Sequence, residues 1–504
     1  MLRLSCSQVT VRSWKFRLVL FLAIVCHSFL GLHAQYITHG PVIGAVTSTS
    51  CKIYLRTASP AELKLQWNDS SFVTGYTDTT RDKSVILQLS NLLPDTKYSF
   101  NVFVNGKQDT VKGSFRTFPK EGQRGDYTFV TGSCQETKNM KVFDVIPLQQ
   151  PYFLMHTGDY TYPDYQIKPD YSNTMDTVAI SYQRRYDEKV MKQMLYNVPV
   201  DYLFDDNDYV GGNGGRYCKN DMRSWTDHGK VKTEFIVKPF PPHWRRNVIK
   251  GYDEFFPHYD MPDTSEGIFH SFKLGNAEFF VIDRNSDKEM PNAAPFVYDS
   301  TKHKWKYIPP PGYVQFGKKQ MDWLKKSLLE SKADWKFIVA GGPLNGACKK
   351  LIDGGMKLQK LHYKNWYGIH IASGFSSYWA GYPEERDDFM KFVKDNNLKN
   401  LIVISGDTHH NVMDDGKNAG LPEMNASGMS VETTALAHYL KLIGNATGTF
   451  RMGKIWNQGG NGLKGEKSKN AFGKVRIVKD EYVELSIIDE DNHVVSSFKV
   501  PHQK

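Results

Sequence analysis

Cysteine is scarce in this chain, with six residues among 504, far too few for a disulfide-stapled scaffold. Long apolar runs are missing as well. The longest, Leu18 to Cys26, breaks at His27 and Ser28, well short of the ~20 residues that cross a bilayer. The glycines at 211–215 lack a following Lys-Ser/Thr, which excludes a nucleotide P-loop. No internal repeat is visible. What is present is 40% hydrophobic and 13% aromatic residues, enough to bury a sizeable core and to exclude a disordered chain. The length suggests two to four domains.

The formal charge of +10 shrinks once its distribution is considered. Arg3, Arg12, Lys15 and Arg17 precede the short apolar run, and Leu32-His33-Ala34 ends the segment before Gln35. A basic start, a short apolar stretch and a small terminal residue read as an export signal over residues 1–34. A lipoprotein signal at Cys26 is an alternative, weakened by the bulky Val25. The leader holds four basic and no acidic residues, so the remaining chain carries +6. That field suits anionic substrates and is too weak for a nucleic-acid footprint. The expectation is an exported protein, periplasmic, cell-surface or secreted, with no transmembrane anchor. It is read as a monomer. The mature chain keeps Cys51, Cys134, Cys218 and Cys348.

Residues 35–119 read as an all-β module. Cys51-Ile53-Leu55, Leu63-Leu65-Trp67, Val85-Leu87-Leu89 and Tyr98-Phe100-Val102-Val104 alternate with period two, and Asn105-Gly106 signals a hairpin. Leu92 to Tyr98 resembles the turn-and-strand phrase of fibronectin type III domains. A spacer or docking role is expected for this module.

From residue 120 to 504 the pattern changes to short, continuous apolar runs. Tyr127–Val130 precedes Gly132-Ser133-Cys134, Tyr152–Met155 precedes Gly158-Asp159, and Phe279–Ile282 precedes Asp283. Trp335–Ala340 and Leu401–Ile404 end at Gly341-Gly342 and Gly406-Asp407. Such runs suit strands buried on both faces. Amphipathic stretches at 317–331 and 383–396 suit helices. The fold class is therefore α/β, where ligands gather beyond the carboxyl ends of strands. Three further strands are expected over 473–478, 482–488 and 494–500 as a late meander, and 459–470 reads as a loop.

The chemistry-bearing residues fall at those strand ends. They are Cys134, Asp159 with Tyr162, the run Asp205-Asp206-Asn207-Asp208-Tyr209, and Asp407-Thr408-His409-His410. Each has a bland reading alone: a buried thiol, a turn aspartate, a solvated acidic loop. Together they suggest a two-metal site, with Asp159 able to bridge and with anionic Cys134 and Tyr162 favouring a trivalent or soft ion. One residue separates Asp407 from His409, so an extended segment would turn both to one side.

These motifs carry a resemblance to the alkaline phosphatase D (PhoD-like) family of calcineurin-like metallophosphatases. It rests on Thr38-His39-Gly40-Pro41, Gly132-Ser133-Cys134, Gly158–Tyr162, Asp205–Tyr209, Asp283-Arg284, Phe316–Gln320, Trp379–Arg386 and Ser405–His409, in that order. The resemblance implies a fibronectin type III-like β-sandwich followed by a four-layer αββα metallophosphatase domain. It implies a site similar to that of purple acid phosphatases, with Fe3+ at Cys134, Asp159, Tyr162 and His409. A divalent cation, commonly Ca2+, is implied at Asp159, Asp206 and Asp407, with Asn213 as a further ligand. The implied activity is hydrolysis of phosphoric monoesters or diesters, on a small-molecule or polymer substrate.

One departure stands out. The family reads Asp-Asp-His-Asp where this chain has Asp205-Asp206-Asn207-Asp208. Asn207 donates a hydrogen bond but is no general acid at neutral pH. Asn207, Asp208 and the substitute candidate His410 are the expected catalytic residues, and Arg284 and Arg386 the expected substrate contacts. Either arginine could instead be a structural ion pair, Arg386 with Glu384 or Glu385. The alternative to an enzyme is a non-catalytic binder of phosphorylated glycans or lipids on a decayed phosphatase fold.

Overall fold

The computed structural model describes residues 36–135, 140–162, 174–209, 215, 218–227, 230–239, 241, 243–263, 265, 267–288, 295–358, 369, 372–430, 452–461 and 469–504. The leader and Asn213 lie outside the described residues. Among the described residues, no helix is long and apolar enough to cross a membrane.

The N-terminal region is a sandwich of two antiparallel sheets. Strands Ile37–Gly44, Cys51–Thr57 and Ser84–Leu89 form one; Phe72–Thr77, Ala61–Gln66, Lys97–Val104 and Lys107–Arg116 form the other. Period-two alternation aims Leu63, Leu65, Phe100 and Val102 into one core with Ile53, Leu55, Leu87 and Leu89. Three of these strands escape the sequence pattern. Ile37–Gly44 contains Gly40-Pro41, Phe72–Thr77 turns Phe72 and Tyr76 outward, and Lys107–Arg116 is half-exposed and polar.

Two larger sheets follow, face to face. In the first, the parallel strands Val200–Tyr202, Leu154–His156 and Asp126–Gly132 adjoin the antiparallel series Ala471–Val478, Tyr482–Asp489 and Val494–Pro501. The C-terminal meander is therefore half of a central sheet, and Gly473 pairs with Thr131 across 342 residues of chain. In the second, Ala277–Ile282, Trp335–Ala340, Leu401–Ser405 and Pro422–Ala426 run parallel between antiparallel flanks. Gly460–Asn461, expected as loop, adds a short edge strand against Asn411 and Val412.

Aromatic rings weld the two sheets. Phe129 and Phe153 stack at 5.1 Å, and Phe129 meets Phe279 and Phe337 edge-on at 5.0 and 5.3 Å. Each buried Phe contributes about 1.5–3 kcal/mol of transfer energy. On the outer face of the second sheet, Phe280, Ile282, Ile338 and Val403 pack on helices Lys318–Glu330 and Pro383–Asp395. Helices Met175–Asp187 and His243–Phe255 pack together beside the first sheet, where the Tyr252 hydroxyl donates to the Tyr202 carbonyl at 2.9 Å. The order is helices, sheet, sheet, helices.

The parallel registers bring the carboxyl ends of six strands to one edge. Gly132, His156 and Tyr202 are level in one sheet, and Ile282, Ala340 and Ser405 in the other. At Gly406 the two edges touch: an added Cβ would lie 2.6 Å from Ser133 Oγ and 2.7 Å from the Thr157 carbonyl. Only glycine permits that approach.

Candidate metal centre

The loops leaving these strand ends carry the candidate ligands, and their backbone is unusual. Cys134 (φ 59°), Asp159 (56°), Tyr162 (45°), Asp407 (73°) and His409 (55°) all adopt left-handed conformations. Such strain persists where surrounding structure over-determines it, and it clusters at functional sites. The Asp407–His409 segment is accordingly a tight turn. The extended geometry expected from its one-residue spacing is replaced, because the turn itself aims both side chains.

Two groups of ligand atoms form. Cys134, Asp159 and His409 offer atoms within 4.8 Å of one another, and so do Asp159, Asp205 and Asp206. Asp159 belongs to both. Tyr162 joins the first group through its hydroxyl, which donates to Asp159 Oδ2 at 3.0 Å. Asp407 connects to the second through Arg284. Asp205, which the sequence placed in an acidic run without a ligand role, is thus a full member. Cys134 is a buried free thiol, as are Cys51 and Cys348.

The electrostatics call for positive charge. Burial pushes the Asp159 carboxyl well above its usual range, and Asp206, Asp205, Asp208 and Asp407 push it further. Burial likewise raises the Cys134 thiol, with Asp159 and Asp407 adding to it, and raises the Tyr162 phenol beside Asp159. A bound cation reverses each of these shifts. Among the described residues, the side-chain Oδ1 of Asn207 and Asp205 Oδ2 are buried without a hydrogen-bond partner. Thiol, phenol, imidazole and carboxylate suit a soft or trivalent ion, and a set made only of carboxylates suits a hard divalent one. The residues fit two metal ions.

The remaining candidates separate by what they touch. Asn207 Nδ2 donates to Asp159 Oδ2 at 3.0 Å. Asn207, Asp407 and His409 are partly exposed, so they line the open side of the site. Asp208 is engaged elsewhere. Its Oδ1 accepts from the Tyr160 and Thr161 amides at 2.8 and 2.7 Å, and its Oδ2 from the Asp205 amide at 3.1 Å. Burial lifts its pKa to about 6 against these hydrogen bonds. His410 is buried outside both groups. Its Nδ1 lies 2.7 Å from the Thr408 carbonyl, and burial brings its pKa down to about 4.

Both arginines proposed as substrate contacts are engaged by protein groups. Arg284 donates Nε to Asp205 Oδ1 at 2.7 Å and Nη1 to the Ser377 carbonyl at 3.3 Å, and Nη2 pairs with Asp205 and Asp407. Arg386 donates to the Leu344 and Ala419 carbonyls at 3.3 and 2.8 Å and pairs with Asp387 at 3.4 Å. Glu385, its expected partner, instead accepts from the Gln315 and Phe316 amides and from Trp379 Nε1.

One support had no signal in the sequence. Asn425 is fully buried under the Asp407–His409 turn. Its Nδ2 donates to the Gly406 carbonyl at 2.6 Å and Ser405 Oγ at 3.0 Å, while its Oδ1 accepts from Thr408 and Ser427. A third acidic group, Asp489, Asp491 and His493, lies at the last hairpin turn, where Asp489 accepts from the Asp491 and His493 amides.

Residues 129–441 match the model of the PhoD-like phosphatases. Alkaline phosphatase D of Bacillus subtilis (strain 168) is 22% identical over 349 residues, covering 65% of this chain and 53% of that protein. The chain thus matches about half the length of this curated relative. A solved structure of PhoD superposes with a TM-score of 0.67 at 16% identity, covering 93% of this chain and 91% of the other. A purple acid phosphatase from yellow lupin seeds superposes with a TM-score of 0.52 at 11% identity, covering 92% and 74%. At these identities the superpositions establish likeness of fold.

Proposed function

The chain belongs to the PhoD-like phosphatase family, and on that premise we propose that it is an exported, metal-dependent hydrolase of phosphoric esters. The observation that carries the reading is Asp159, one carboxylate shared by two adjoining ligand groups. Cys134, Asp159, Tyr162 and His409 would hold a ferric ion, and Asp159, Asp206 and Asp407, with Asp205 beside them, a divalent ion such as calcium. When bound, the two ions supply an acidified water for attack on phosphorus and positive charge against the phosphoryl oxygens.

The protein's own groups do the rest. Asn207, Asp407 and His409 border the open side, where an ester can approach. Arg284 holds Asp205 and Asp407 from within and keeps part of the site's negative charge balanced. The Asn207 amide donates to Asp159 and has no proton to give a departing alkoxide. His410, neutral and buried, is not placed to replace it. Esters whose leaving groups need no proton, monoesters or diesters, are therefore the favoured substrates.

Iron and calcium content of the purified full chain, with aryl phosphate and bis-aryl phosphate hydrolysis beside Asp159→Ala, tests this reading. Metal-bearing, active wild type and a metal-poor, inactive variant are expected. A tyrosinate–iron absorption band lost in Tyr162→Phe would identify the ferric ligand. Metal without turnover would favour the non-catalytic binder, the reading that Asn207 in place of the family histidine motivates.

A further inference from the structure

Arg185 sits on the helix Met175–Asp187 and is 1% exposed. Among the described residues no carboxylate pairs with it, an expensive state for a buried charge. Its donors go to backbone carbonyls. Nε donates to the Tyr160 carbonyl and Nη2 to the Gln135 carbonyl at 2.9 Å, while Nη1 has no partner. Gln135 directly follows Cys134, and Tyr160 directly follows Asp159.

We propose that Arg185 is a positioning residue, a clamp that fixes the Cys134 loop against the Asp159–Tyr162 loop and so sets the spacing of the candidate metal ligands. As a statement about catalysis it rests on the phosphatase reading; as a statement about the loops it does not. Among the described residues, the backbone hydrogen bonds that remain between the two segments without the guanidinium are the Thr157 amide to the Gly132 carbonyl at 2.9 Å at the strand ends, the Cys134 amide to the Gly158 carbonyl at 3.2 Å and the Gln135 amide to the Asp159 carbonyl at 3.4 Å. The two that lie within the loops are at the long end of hydrogen bonding, and they involve the left-handed Cys134 and Asp159 themselves. A planar fork with donors at fixed angles spans two carbonyls at once; a lysine ammonium on a flexible stem does not reproduce that geometry.

The clamp is itself anchored. On the buried stripe of the helix, Val178, Ser181, Tyr182, Arg185 and Tyr186 recur at helical spacing. Tyr186 donates to the Phe255 carbonyl at 2.7 Å, and Tyr182 packs on Phe255 at 5.9 Å. Tyr54 of the N-terminal sandwich meets Tyr186 at 5.1 Å. The N-terminal sandwich thus buttresses the helix from which the guanidinium reaches the ligand loops. The spacer role expected for it is extended to a supporting one.

The test compares full-length wild type, Arg185→Lys and Arg185→Met. It reads thermal unfolding, hydrogen exchange of peptides containing Cys134 and Gln135 in metal-free protein, and metal affinity by chelator competition. Folded variants are expected, with faster exchange confined to residues 133–135 and 158–162. Metal affinity should weaken about 10–100-fold, the usual effect of losing an outer-sphere support. Turnover should fall with little change in KM, since Arg185 does not meet substrate. Wild-type exchange and metal affinity in either folded variant would overturn the proposal, as would global unfolding of both, which would make Arg185 a residue of the fold at large. A wild type that neither holds metal nor turns over would sink the phosphatase reading alone, because exchange in the metal-free chain still decides the clamp.

Discussion

Arg284 Nη2 lies 2.9 Å from Asp407 Oδ2, while the same guanidinium holds Asp205. One buried cation thus ties the loop after Tyr202 to the turn after Ser405, on opposite sheets. A Cβ on Gly342 would stand 2.5 Å from Nη1, so the fold keeps a slot for the guanidinium. Arg284→Met strands Asp205 without its charge partner. In metal-free protein the loss should be about 3–5 kcal/mol, as for other broken buried pairs. Urea unfolding with an unchanged m-value is the measurement, and a loss below 1 kcal/mol would contradict the buried bridge.

Asn207 provides a gain-of-function prediction. Its amide sits 3.0 Å from Asp159, on the partly exposed side. Asn207→His introduces a group that titrates near neutrality and can protonate a leaving oxygen. The kcat for alkyl phosphates should rise roughly 10²-fold, with a much smaller change for nitrophenyl esters. A leaving-group series on both proteins checks this, and parallel slopes would count against it.

How much of this was legible beforehand depends on distance along the chain. Trp335–Ala340 has the bounds in the structure that its apolar run suggests, because a strand buried on both faces declares itself locally. The pairing of Gly473 with Thr131 is invisible to such a pattern, since register between remote segments leaves no local trace. The site divides in the same way. Cys134, Asp159, Asp407 and His409 follow readable strands. Arg185 stands beside exposed Arg184 in a polar stretch, and only the helical phase shared with Val178, Tyr182 and Tyr186 could have marked it as the inward one.

His270 predicts a pH effect away from the centre. Its Nε2 lies 2.9 Å from Asp201 Oδ2 and its Nδ1 2.8 Å from the Ile268 carbonyl, so both nitrogens face acceptors. Burial alone would lower its pKa, but the Asp201 charge and the hydrogen bonds outweigh it and raise it above 6.5. The Tyr259 and Phe272 rings stack on it. Its contribution is fully present below pH 6.5 and is lost as pH rises through the raised folded value. The stability gap between wild type and His270→Phe should narrow in that direction. Denaturation curves from pH 6 to 10 would show it, and a constant gap would argue for a neutral imidazole.

Glu423 gives a second window. Burial pushes its pKa from 4.5 up to about 7, against hydrogen bonds from Ser405 Oγ at 2.6 Å and the Leu344 amide at 3.1 Å. Its neutral form therefore stabilises the fold below pH 4.5, and that contribution fades as pH approaches and passes 7. About 3 kcal/mol is at stake over this range, at 1.4 kcal/mol per pKa unit. Glu423→Gln should lack this slope and gain on wild type as pH rises. Identical pH profiles would show that Glu423 is ionised throughout.

The left-handed backbone at Cys134, Tyr162 and His409 bears on how such a protein drifts. Each such conformation costs about 1–3 kcal/mol, and whole domains are stable by only ~5–15 kcal/mol. Glycine would relieve that cost at the partly exposed His409, whereas at buried Cys134 and Tyr162 it would also empty a packed site, and losing a buried ring costs about 3–5 kcal/mol. Sorting a mutant library for protease resistance should enrich glycine at His409 and not at Cys134 or Tyr162, and sorting it for turnover should restore the histidine. The turn at His409 is thus the place where stability and the proposed chemistry pull in opposite directions.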